Sequence, residues 1–99
     1  MSERTAPALE KIDLLLPILK ARPAAPEREQ LIEETEALRR AVAAFHMEAI
    51  RFRIHAVDRL IRLSGDEATA REALEHVRQA LEAAGFHTRS HAAPDAKAT

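Results

Sequence analysis

Ninety-nine residues suit one domain, and the chain has no Cys, Trp or Tyr, only two Gly and three Phe. The lack of Cys excludes disulfides, thiolate metal sites and Cys nucleophiles. With 15 basic against 16 acidic residues, the net charge of −1 offers no broad attraction for nucleic acid.

The first helix is expected over about residues 8–20, with Thr5 as candidate N-cap. Pro17 lacks an N–H and predicts a kink or split there. Arg22-Pro23-Ala24-Ala25-Pro26 reads as a stiff connection, with Pro26 at the first position of the next helix and Glu27 and Glu29 in its positive first turn. From 27 to 63 there is neither Gly nor Pro. This stretch reads as one long helix of roughly 55 Å at the standard rise, far longer than a compact domain with a radius of gyration near ~13 Å accommodates. At Leu63-Ser64-Gly65-Asp66-Glu67 the helix should stop, with Gly65 in the left-handed position and Ser64 or Asp66 capping a third helix over 66–84. Gly85 ends that helix, and Phe86 folds back as the hydrophobic contact of its cap. Residues 87–99 are small and polar and read as a disordered tail. The expected fold class is therefore all-α. A short helix, a long central helix and a third helix form a single domain over 1–86, the last two as an antiparallel hairpin in an elongated bundle completed by dimerisation.

Helical spacing gives the long helix two apolar stripes. One holds Leu31, Leu38, Val42, Phe45, Ala49, Phe52, Ala56, Leu60 and Leu63; the other holds Ile32, Ala43, Met47, Ile50, Ile54, Val57 and Ile61. Two stripes call for two neighbours, one within the chain and one from a second copy, the alternative being that helices one and three share this wide face within a monomer. The expectation is a homodimer in which the long helix crosses its mate antiparallel near Phe45, using Val42, Phe45, Ala49, Phe52 and Ala56. The long helix is acidic over 27–36 and basic over 39–62, so the acidic third helix is expected to fold onto the basic half.

Five histidines raise the question of a metal. Ligands on one helix face need spacings of three, four or seven. His46 and His55 are nine apart, and no His-x-x-x-His occurs on the long helix. Glu48, His55 and Asp58 share a polar side and are the nearest approach to a site, as Glu72 and His76 are on the third helix. No metal and no cofactor are expected. Arg39, His46 and Arg53 recur at heptad spacing between the stripes, which is either a hydrogen-bonded rim or a cationic seam for an anion or an acidic partner. The basic run from Arg51 to Arg62 spreads its charges around the helix, so duplex DNA is not the expected partner.

No catalytic motif accompanies these residues. The start Met-Ser-Glu-Arg-Thr is unlike a signal peptide, and the longest apolar run, around Leu14-Leu15-Leu16, is too short to span a bilayer. A cytoplasmic protein is expected, and the excess of Arg over Lys with abundant Ala suggests a GC-rich bacterial source. The sequence reading is a small non-enzymatic helical protein that self-associates and serves another protein as adaptor, regulator or assembly factor. A bundle binding a small ligand or a metal through the Arg/His seam is the competing reading.

Overall fold

Residues 4–64 and 68–86 are described by a computed structural model of the chain, and the regular structure among them is entirely helical. Gly65, Asp66, Glu67 and the tail over 87–99 lie outside the described residues, and so do the expectations placed on them.

Helix α1 is Ala6–Lys20. Thr5 occupies the N-cap position, its carbonyl accepting from the Leu9 N–H at 2.9 Å, while its side chain makes no capping bond. The expected split at Pro17 does not occur, and the helix runs through it. Pro17 and Asp13, whose carbonyl loses its helical donor, are both exposed, so that carbonyl is on the solvent side of the helix. Helix α2, Pro26–Ala43, begins as expected, with Ala25 extended at its N-cap and Glu27 and Glu29 in the first turn.

The long helix does not form. The chain leaves α2 at Ala43 and, after three intervening residues, begins helix α3, Met47–Leu63. The break is built like a glycine-terminated helix end without the glycine. Phe45 takes the left-handed conformation at φ 59°, its N–H bonds the Val42 carbonyl at 3.0 Å, and the His46 N–H bonds the Ala41 carbonyl at 3.0 Å. The physical reason lies in the apolar faces. Helix α2 buries Leu31, Ile32, Leu38, Ala41 and Val42, whereas α3 buries Ile50, Ile54, Val57 and Ile61. At standard helical twist these two sets point about 100° apart, so a straight helix cannot put both into one core. The two stripes belong to two helices.

Helix α4, Ala68–Ala83, ends in the same motif with the expected residue. Gly85 has φ 100°, its N–H bonds the Glu82 carbonyl, and Phe86 bonds the Leu81 carbonyl at 2.9 Å while its ring is buried.

Helix α1 packs against both α4 and α2, and α3 packs against α2; α3 and α4 touch only sparsely. The expected pairing of the basic half with the third helix is thus corrected, because α4 takes α1 as its main neighbour. Leu9, Ile12, Leu15 and Leu19 join Leu74, Val77 and Leu81 in one cluster with the α2 and α3 residues. That core lies within a single copy, with a radius of gyration of 13.3 Å, close to that of a compact domain, and extents of 42 × 31 × 19 Å. No helix among the described residues is long and apolar enough to cross a membrane.

Candidate functional site

The residues of the expected cationic seam are each engaged elsewhere. Arg39 on α2 grips Asp13 on α1 with both prongs, Nε to Oδ1 at 2.7 Å and Nη2 to Oδ2 at 3.1 Å. These hydrogen bonds hold the Asp13 carboxyl below its usual value against a small opposing effect of burial, and raise that of Arg39. Arg53 on α3 donates to Glu34 on α2 at 2.7 Å and lays its guanidinium 5.3 Å from the Phe52 ring centroid. His46 is the N-cap of α3, where Nδ1 accepts the Ala49 N–H at 3.3 Å. That bond uses the lone pair of Nδ1. Heptad spacing lined these residues up on a helix that is broken between them.

The metal candidates fare similarly. Asp58 receives Arg62 at 3.0 Å and faces Arg78 of α4 at 3.7 Å, while Glu48 and His55 are exposed. Among the described residues no group of three or more His, Asp or Glu is arranged to hold a metal ion. The ion pairs have a structural logic of their own: Asp13–Arg39 joins α1 to α2, Glu34–Arg53 joins α2 to α3, and Asp58–Arg78 joins α3 to α4.

Of the expected interface residues, Val42 is wholly buried in the core of its own chain, so it is not on a surface. Ala49 and Ala56 are half-buried, and Phe52 is 65% exposed. Phe45 sits in the turn, not in mid-helix, because the continuous helix expected around it is broken in the single chain. Its ring meets Phe86 edge to face, centroids 5.2 Å apart, and the Arg4 guanidinium lies 5.6 Å from its centroid. Arg4 also donates to the Ala84 carbonyl at the end of α4. A Cβ on Gly85 would stand 2.7 Å from Arg4 Nη2, so the glycine provides the room as well as the φ. The start of α1, the α2–α3 turn and the end of α4 therefore meet at one point. Nothing in the sequence pattern flagged Arg4, since its partners are 41 to 80 positions away.

One open cleft, of about 510 Å³, lies where the α1–α2 connection faces the end of α3, with Arg22, Glu27, Arg28, Leu63 and Ser64 among its walls. Its polar groups serve helix ends. Arg28 donates to the Lys20 and Arg22 carbonyls at 3.1 and 3.0 Å and to Glu29, while Arg22 reaches Ser64 Oγ at 3.2 Å. What the surface does offer is apolar: Leu14, Phe52 and Leu63 are 61%, 65% and 71% exposed, and Phe45 and Met47 flank the α2–α3 turn. No family model matches the chain, and no curated protein or solved structure proves similar to it, which leaves its own residues to carry any functional reading.

Proposed function

We propose that this chain is a non-enzymatic helical protein that forms a homodimer and acts as an adaptor, regulator or assembly factor for another protein. The observation that supports this most is the set of large exposed apolar side chains on a fold whose core is already closed. Leu14, Phe52 and Leu63 gain little from folding of one chain and gain area only against a second one. The reading calls for no cofactor and no metal. The seam of Arg39, His46 and Arg53 lends no support to a ligand site, because Arg39 and Arg53 are paired with carboxylates of neighbouring helices and His46 caps its own helix.

Light scattering from low to high micromolar protein tests self-association: the mass should move from monomer toward dimer, and a monomer throughout removes that part of the reading. The partner is tested by parallel capture on the wild type and on a Phe52→Ser/Leu63→Ser variant. These side chains lie outside the core, so the variant keeps its fold. A protein held by the wild type and lost by the variant supports the reading; identical capture by both overturns it.

A further inference from the structure

We infer that the α2–α3 turn is a hinge across which two copies of this chain exchange their α3–α4 halves, Pro26 to Leu63 becoming one continuous helix in the exchanged dimer. The inference rests on the self-association proposed above and gives it a mechanism. In the exchanged dimer the two long helices lie antiparallel with Phe45 near the two-fold axis, the arrangement that the sequence pattern by itself predicts.

Three observations carry it. First, the closed turn holds a bulky L-residue, Phe45, at φ 59°, a conformation ordinarily left to Gly or Asn. Short strained connections favour exchange because opening them relieves the strain. Second, the residues around the turn prefer helix: Ala43, Ala44, Met47, Glu48 and Ala49 are all strong helix formers, and no Gly or Pro interrupts 27–63. As the first positions of α3, Met47 and Glu48 have N–H groups without a helical acceptor, and that of Ala49 is held by a histidine side chain. Continuation of the helix gives all three a carbonyl four residues earlier, on Ala43, Ala44 and Phe45. Third, the packing survives the exchange. The richest contacts in the fold are α1 on α4 and α2 on α3, and both cross the hinge, so each transfers unchanged to the partner. Opening gives up the Phe45 ring contacts with Phe86 and Arg4 and the His46 cap.

The Glu34–Arg53 pair crosses the exchanged seam and supplies the test. In a Glu34→Arg chain the pair becomes two arginines, and in an Arg53→Glu chain two glutamates, whether the chain is closed or paired with itself. Only an exchanged heterodimer of the two variants restores opposite charges at both seams. After joint unfolding and refolding of an equimolar mixture at high concentration, native mass spectrometry should find the heterodimer in more than about nine-tenths of dimers, against about half for random pairing. Random pairing overturns the exchange and leaves self-association standing, whereas monomer alone overturns both. A second comparison needs no charge reversal. Phe45→Ala and Phe45→Gly lose the same ring, but Ala resists the left-handed turn and favours the continuous helix, and Gly does the opposite. The dimerisation constant of Phe45→Ala should exceed that of Phe45→Gly on the order of a thousandfold, since each dimer contains two hinges. Equal constants overturn the hinge.

Discussion

Gly85 and Phe45 occupy the same position in the same helix-terminating motif, one at φ 100° and the other at φ 59°. Gly85 does so without a Cβ penalty, and Gly85→Ala should cost about 1–2 kcal/mol by urea unfolding, with Arg4 also displaced. At Phe45 the same penalty is already present in the wild type and is offset by the ring's contacts with Phe86 and Arg4. Next to it, His46 caps α3 through Nδ1. His46→Ala should cost typically ~1 kcal/mol, whereas His46→Asp keeps an acceptor, adds a negative charge at the helix N-terminus, and should be at least as stable as the wild type. An Ala variant indistinguishable from wild type in urea would remove the cap from the account.

Between elements, the ion pairs act as clasps on a fold assembled by apolar faces. Asp13 and Arg39 are each about half exposed, so the pair between α1 and α2 contributes little for its good geometry, and Asp13→Asn should cost about 0.2–1 kcal/mol at neutral pH. The pH dependence has a definite sign. Because Arg39 lowers the folded-state value of Asp13, the contribution is fully present above the unfolded value and is lost as pH falls through the lower folded one. Wild type and Asp13→Asn should differ by a constant amount down to about pH 5, and the difference should close below about pH 4. A difference that widens in acid would contradict the pairing. The clasps also show why charge blocks misled at this scale. The charge blocks match acidic α4 to the basic half of the long helix, yet α4 packs chiefly on α1, and an ion pair with α3 sets Arg78 against Asp58. Burial of Leu74, Val77 and Leu81 outweighs exposed charge in choosing a neighbour.

For the molecule as a whole, the contents of one core settle its shape. Nineteen apolar residues among those described are buried in a single cluster, and α1 and α2 each pack richly on two neighbours. The self-association proposed above would add stability through mass action. A protein concentration a hundredfold above the dissociation constant would stabilise the dimer by about 2.7 kcal/mol, which for a domain of this size raises the melting temperature by roughly 10–20 °C. Scanning calorimetry over a hundredfold range of concentration should show that rise, and a concentration-independent melting temperature would count against the homodimer.

The all-helical class, the Pro26 start of α2, the stop at Gly85 and the return of Phe86 were all legible in the sequence, because each depends on local chemistry: helix propensity, a fixed proline φ, a glycine that tolerates the left-handed region. The apolar stripes were legible too, but not what they meant. Leu38 and Val42 on one face and Ile50, Ile54, Val57 and Ile61 on another describe either one helix with two neighbours or two helices with a break, and no Gly or Pro marks the difference. Tertiary packing chose the break, since burying both faces in one core repays a strained Phe45, and the same choice scattered Arg39, His46 and Arg53 to separate tasks. Local preference sets which residues form helix; only the free energy of filling a shared core decides where a helix without a breaker must turn.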